Sequence, residues 1–355
     1  MKIALITDTH WGARNDSDVF ADYFGKFYKE IFFPYLQKNK ITHIIHLGDI
    51  VDRRKYINFV TAKNLRDGFI LPCFEMGVHL DVIIGNHDVY YKNTNQVNAM
   101  SELGYPYWYE DMTVHTVATV KSYDGVHIVL MPWINETNNE IATRVIDQTN
   151  AKILMGHLEL SGYEMYKGAV IDHGQDAKLY SKFSTVCSGH FHHKSSKGNI
   201  NYLGAPYEIT WSDYDDQRGF HVFDTVTSKL EYIINPLRMF HKLVYSDNEK
   251  NMEDVLKINM EKYRGCYVQV MVEMKTNPYW FDLYVDKLTT IAANVKIVSD
   301  HSKLNVDGKE LLSDDVEDTI TIMKRYVSLT GVHEDQKVSL GTLMTDLYAE
   351  ACAIK

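Results

Sequence analysis

The sequence predicts an α/β fold that begins as a mostly parallel sheet layered with helices, and three observations predict it. Three apolar runs, "KIALIT" (2–7), "ITHIIHL" (41–47) and "LDVIIG" (80–85), have the length and unbroken hydrophobicity of strands buried on both faces. Between them, 18–39 and 59–76 carry helical periodicity, with Val19, Phe20, Tyr23, Phe24, Phe27 and Ile31 on one side of the first. Each run is followed by a polar cluster of Asp, Asn or His, as at the crevice end of an open sheet.

Later strands are expected at 126–131, 152–155, 184–188, 199–203, 219–224 and 230–234. Few helices separate them, so this half is expected to be more antiparallel. "NPLR" (235–238) breaks the pattern and marks a boundary. From 237 onward a small α/β unit is predicted: a helix at about 250–263, the strand "CYVQVMVEM" (266–274), a helix near 280–293 and the strand "NVKIVS" (294–299). Two amphipathic helices, 313–330 and 338–352, close the chain; Val316, Ile320, Met323 and Val327 line one, Leu340, Leu343, Met344, Leu347 and Ala351 the other. Three domains follow from this reading, 1–236, 237–303 and 304–355.

Composition narrows the classes. The chain has 355 residues, 45% of them apolar, enough for an ordinary core, and no apolar run long enough to cross a bilayer. The first apolar stretch is too short for a secretory signal, and Asp8 interrupts it. Cys73, Cys187, Cys266 and Cys352 are far apart and form no CxxC pair, which points to a reducing cytoplasm. A net charge of −10 argues against a free-standing nucleic-acid binder, unless bound divalent cations or a basic partner offset it.

Five clusters of ligand-type residues follow predicted strands: "TDTH" with Asp8 and His10, "LGDIVD" with Asp49 and Asp52, "GNHD" with Asn86, His87 and Asp88, "GH" with His157, and "GHFHH" with His190 and His192. Asp8 and His10, two apart in an extended segment, would share a face. Gly48, Gly85, Gly156 and Gly189 allow sharp turns beside a ligand. Carboxylate, amide and imidazole together suit a divalent transition metal, and no thiolate takes part. The remaining histidines, His43, His46, His79, His115, His127, His221 and His241, read as packing or surface residues, as does His193.

The series D-x-H, GD-x-x-D, GNHD, GH, GHxH resembles the signature of the calcineurin-like metallophosphoesterases, over roughly 1–235. Within them, "YLGAPYEITWSDYDDQRGFHVFD" (202–224) and "LMPWINE" (130–136) are similar to the SbcD and Mre-type DNA-repair nucleases. The short cap and helical tail most resemble the recombination endonuclease subunit of tailed phages.

The resemblance implies a four-layer α/β/β/α sandwich, a small α/β cap and a helical tail. It implies two divalent ions, manganese with magnesium as the alternative. Asp8, His10 and His192 would bind the first; Asn86, His157 and His190 the second; Asp49 would bridge. His87 would be the catalytic histidine, oriented by Asp88. Many of these nucleases carry His three residues after the bridging Asp, where this chain has Asp52. Arg53, Arg54, Lys55 and Lys194 would meet DNA phosphates, or else be solvated loop charges. The activity implied is exonuclease and single-strand endonuclease cleavage in DNA recombination and repair. The partners implied are an SbcC/Rad-type ABC ATPase with a coiled coil, on which the tail would dock, and a second copy of the chain, in the cytoplasm of the host cell if phage-encoded. The rival readings are a phosphoesterase for a non-DNA substrate and a non-catalytic scaffold for the ATPase.

Overall fold

The computed structural model describes residues 1–105, 109–257 and 259–299, and within 302–355 only Val327, Lys337, Leu340, Gly341, Leu343 and Met344. The chain divides into two compact units, 1–301 and 302–355. The helices anticipated at 313–330 and 338–352 lie almost wholly outside the described residues.

Strand β1 (Lys2–Ile6) is followed by helix α1 (18–39), β2 (His43–His46), α2 (59–75), β3 (His79–Ile83) and β4 (Met112–His115). Both helices contain one widened turn, Tyr28–Phe32 and Arg66–Ile70, immediately before Pro34 and Pro72. There Phe33 N–H reaches Tyr28 O and Leu71 N–H reaches Arg66 O. A proline supplies no N–H to the preceding turn, and the wider spacing carries the helix past it.

Next come β5 (Thr119–Tyr123), β6 (Val126–Met131), α3 (Asn139–Gln148), β7 (Ile153–His157), the small hairpin β8 (Glu164–Tyr166) and β9 (Ala169–Val170), β10 (Thr185–Gly189), β11 (Ser195–Lys197), β12 (Ile200–Tyr202), β13 (Gly219–Asp224) and β14 (Lys229–Ile234). One sheet has the order β14-β13-β1-β2-β3-β4, the other β11-β12-β10-β7-β6-β5. The early strands pair in parallel throughout, β1–β2, β2–β3 and β3–β4, and every antiparallel pair involves a later strand, as expected. Strands β6, β7, β10 and β12 nevertheless run parallel, with antiparallel pairing at β5–β6, β8–β9, β11–β12, β1–β13 and β13–β14. Helix α3 makes the crossover from β6 to β7, and the crossover from β7 to β10 carries the small β8–β9 hairpin.

Alternation along the strands makes the layers. Ile3 and Leu5 of β1 face the second sheet, in a core with Ile45, Ile128, Leu130 and Met155. Ala4 and Ile6 face the other way, into a core with Phe20, Phe24 and Phe27 of α1. Val129 and Leu154 pack outward against Ala142 and Ile146 of α3. The result is the helix, sheet, sheet, helix sandwich.

Beyond β14 come β15 (Phe240–Ser246), α4 (Met252–Leu256), β16 (Tyr267–Met274), α5 (Pro278–Thr289) and β17 (Asn294–Ser299), a parallel three-stranded βαβαβ unit. The helix expected over 250–263 is shorter, and β15 was not anticipated. Asn259 Oδ1 accepts Glu261 N–H at 3.1 Å and starts a separate short turn there. Buried Glu208 fixes the junction: its carboxylate accepts Met239 N–H at 2.7 Å, Phe240 N–H at 2.9 Å and Arg238 Nε–H at 2.6 Å.

Candidate metal centre

The loops after β1, β2 and β3 meet those after β7 and β10. The first two are stitched together: Asp8 N–H donates to Gly48 O at 3.0 Å, His10 N–H to Asp49 O at 3.1 Å and Trp11 N–H to Ile50 O at 2.7 Å. Asp8 (φ 52°), His10 (φ 42°), Asp49 (φ 55°) and His190 (φ 88°) all adopt the left-handed region, which non-glycine residues rarely enter. Asp8 and His10 therefore do not lie in an extended segment as expected; the turned backbone aims their side chains instead. Two glycines make room. A Cβ on Gly85 would stand 2.2 Å from Asp49 Oδ1, and one on Gly189 2.0 Å from Thr7 Oγ1.

The ligand-type side chains fall into two main groups, with His10, Asp52 and His87 a third, overlapping set at the edge. Asp8, His10 and His192 form one, and Asp49, His157 and His190 the other. His10 Nε2 and His192 Nε2 approach to 3.0 Å. Asn86 joins the second group, its Oδ1 2.9 Å from both His157 Nε2 and His190 Nδ1. Asp49 Oδ2 stands between the groups, 3.4 Å from His157 Nε2 and 3.9 Å from His10 Nε2. Asp8 Oδ2 accepts Thr7 Oγ1–H at 2.8 Å, and both its oxygens lie 3.1 Å from His190 N–H.

Electrostatics in this cluster are unresolved by protons alone. Burial, reinforced by neighbouring cations, drives His10 well below the ordinary imidazole range and His190 and His192 down to about 3, so their lone pairs are free. Burial pushes Asp8 up to about 7. Burial would also raise Asp49, but the imidazole of His157 beside it holds it well below the carboxylate range. Burial alone would lower His157; Asp49 and Asp8 raise it to about 9. His157 Nδ1 donates to Leu47 O at 2.7 Å, and its Nε2, protonated at that pKa, faces Asn86 Oδ1 at 2.9 Å and Asp49 Oδ2 at 3.4 Å, oxygens that would share a cation put in the proton's place. Buried His10 Nδ1 and His192 Nδ1 make no hydrogen bond. Facing acceptors, neutral imidazoles and buried carboxylates are the donor set of a divalent transition metal, and these residues fit one.

His87 sits at the edge, its ring 4.9 Å from that of His10 and nearly perpendicular to it. The expectation that Asp88 orients it is corrected: His87 Nδ1 lies 2.7 Å from the backbone carbonyl of Asp52. Asp88 is buried and accepts four backbone N–H groups, those of Gly85 (2.8 Å), Asp49 (2.9 Å), Ile50 (2.8 Å) and Val51 (3.1 Å). It holds the metal loops and touches no reacting atom.

The cations differ among themselves. Arg53 is committed, at 2.7 Å each, to Asp16 Oδ2 and Asn15 Oδ1, where a phosphate contact had been expected. Lys194 Nζ lies 4.9 Å from the centroid of the Tyr232 ring. Arg54 is half-buried and Lys55 exposed. His193 serves neither group; its Nδ1 pairs with Asp216 Oδ2 at 2.8 Å. Reading the sequence missed Arg218, which donates to His192 O and pairs with Asp213 and Asp216 at 2.8 and 2.9 Å. The "RGF" triplet was its signal. Trp133 was missed too; its ring lies 5.2 Å from that of His190 and 6.1 Å from that of His157.

A two-sheet sandwich with this cluster at its strand ends defines a metal-dependent phosphoesterase, and the family model described as Calcineurin-like phosphoesterase matches residues 1–194; the chain belongs to that family. It is similar to Exonuclease subunit 1 of Enterobacteria phage T4, 31% identical over 355 residues, with 99% of each chain covered. Among solved structures it is similar to an archaeal phosphodiesterase (12% identity, 66% of this chain and 100% of the other, TM-score 0.35) and a dimetal phosphatase from Danio rerio (11%, 62% and 91%, TM-score 0.39). At such scores neither bears on function. Among the described residues, no helix is long and apolar enough to cross a membrane.

Proposed function

We propose that this chain is the nuclease subunit of a DNA recombination and repair assembly. It cleaves phosphodiesters as an exonuclease and single-strand endonuclease in the host cytoplasm. One observation carries the reading: Asp49 Oδ2 faces His157 Nε2 and His10 Nε2 at once, linking two complete ligand groups. Asp8, His10 and His192 would hold one divalent ion, Asn86, His157 and His190 a second, with Asp49 shared. When bound, the ions, manganese in this reading, supply Lewis acidity and a nucleophile at neutral pH.

The chain's own residues do the rest. Hydrogen bonding of His87 Nδ1 to Asp52 O leaves Nε2 to hold or give a proton at the leaving oxygen. Asp88 keeps the ligand loops in place, and Arg218 does the same for His192. The likeness to a protein named as a subunit supports an obligate partner. The net charge of −10 supports one that brings basic surface; an ABC ATPase with a coiled coil is that partner, and a second copy of the chain completes the assembly. The tail, 304–355, is the segment assigned to the ATPase.

The test is release of nucleotides from linear and single-stranded DNA by the full chain, with and without the ATPase, across several divalent cations. Manganese-dependent cleavage stimulated by the partner is expected. Hydrolysis of small phosphodiesters without cleavage of any DNA would establish the non-DNA phosphoesterase instead. Metal analysis finding fewer than one ion per folded chain would establish the scaffold.

A further inference from the structure

Beside the second ligand group lies a pocket of about 150 Å³ lined by Trp133, Ile134, His157, Glu159, Gly174 and Gln175. That is the size of cavity that takes a single aromatic ring. Its inner wall is the metal-ligand histidine itself, so whatever enters it touches the reaction site. The other walls are those of a ring-binding slot. Trp133 gives an indole, anchored by its own backbone: Trp133 N–H donates to Ile84 O at 2.8 Å, and its carbonyl accepts Asn95 Nδ2–H at 2.8 Å and Asn138 Nδ2–H at 2.9 Å.

Two polar edges complete it. Glu159 Oε2 lies 3.8 Å from His190 Nε2, and its Oε1 3.0 Å from His173 Nε2. Gln175 Oε1 accepts Tyr180 Oη–H at 2.6 Å, which leaves its Nε2 as a donor for something else. Gly174 (φ +100°) brings the two edges together; a Cβ there would stand 2.7 Å from Glu159 O. An aromatic wall, one acceptor and one donor match a planar heterocycle with its own donors and acceptors.

We propose that this slot takes the base of the nucleotide bearing the scissile phosphate, with Trp133 as its stacking residue. The proposal rests on the reading of the site as a nuclease. A phosphate held among His157, His190 and Asn86 leaves its nucleoside at the mouth of the slot, and stacking on Trp133 fixes which bond is presented. Stacking accepts every base, so the slot positions without choosing sequence.

The experiment uses the full chain with manganese and single-stranded oligonucleotides carrying one abasic nucleotide, moved stepwise along the strand. Wild type is expected to slow by about ten- to hundredfold where the abasic nucleotide reaches the scissile position. Trp133→Leu should slow cleavage of the intact strand by a similar factor, chiefly through KM, and lose the abasic effect. Trp133→Phe should restore most of both. Manganese content, measured alongside, should match wild type in each variant. Equal cleavage of abasic and intact strands by wild type, or an abasic effect that survives in Trp133→Leu, overturns the slot while leaving the nuclease reading standing. If wild type cleaves no DNA under any cation, the nuclease reading itself falls and the slot with it.

Discussion

Asp88 Oδ1 accepts the backbone N–H of Ile50 at 2.8 Å and makes no contact with the imidazole of its neighbour His87. Its role is to hold loops rather than a proton. Asp88→Ala strands the buried N–H groups of Gly85, Asp49, Ile50 and Val51. A loss of about 3–5 kcal/mol is expected in denaturant unfolding, with weaker divalent-metal binding by calorimetry. Unchanged stability would show that these loops hold without it.

His87→Ala is expected to behave oppositely. His87 lies outside the two main ligand groups, and only the edge set with His10 and Asp52 loses a member, so metal content and thermal midpoint should match wild type. Turnover should fall by about 10²–10⁴ with little change in KM. Single-turnover kinetics on a metal-loaded, folded variant decide it, and wild-type rates would remove His87 from the chemistry.

Asn86 serves only the second ligand group, through His157 and His190. Asn86→Ala should release about one of two ions, leaving the group of Asp8, His10 and His192 filled. Elemental analysis of the purified variant gives the count. Loss of both ions, or of neither, contradicts the division into two groups.

Gly85→Ala places a methyl 2.2 Å from Asp49 Oδ1, whereas a Cβ on Gly25 in α1 meets nothing within 4 Å. The first should cost about 2–4 kcal/mol and manganese affinity. The second should stabilise by about 0.5–1 kcal/mol through the helix. Paired unfolding curves test both.

Asp81 gives the chain an acid limit. Burial would raise its pKa, but hydrogen bonds from His115, Lys121 and Tyr123, each at 2.7 Å, hold it at about 2. A folded pKa below the unfolded value of about 4 means that this stabilisation is complete above pH 4 and fades as pH falls through 2. It amounts to about 2 kcal/mol, and Asp81→Asn should lose it at neutral pH and flatten the acid limb of the unfolding profile. An unaltered acid limb would assign it to other carboxylates.

Much of the frame was legible because it depends on local pattern. Unbroken apolar runs mark β1, β2 and β3, and each metal loop follows such a run. The antiparallel tendency of the later strands was legible from the scarcity of helices between them, but the parallel run of β6, β7, β10 and β12 was not, because pairing with distant neighbours such as β7 with β10 sets the sense. The site's residue types stood out in sequence, but their contacts did not. Asp88 stands next to His87 in the chain, yet its carboxylate turns to the backbone of the β2 loop. The partner of His87 is a backbone carbonyl, which no side-chain pattern reports. Arg218 was hidden because it acts on His192 across many residues of chain, on a carbonyl that every residue possesses.

The pairing of β1 with β13, Lys2 opposite Asp224, has a consequence for synthesis on the ribosome. Strand β1 keeps an open edge until a strand made more than two hundred residues later arrives to close it. The loops of β1 and β10 belong to one centre, so the group of Asp8, His10 and His192 is incomplete until His192 has also emerged. A nascent fragment short of that point lacks a complete centre, and its unfinished edge is an open template for pairing with other chains.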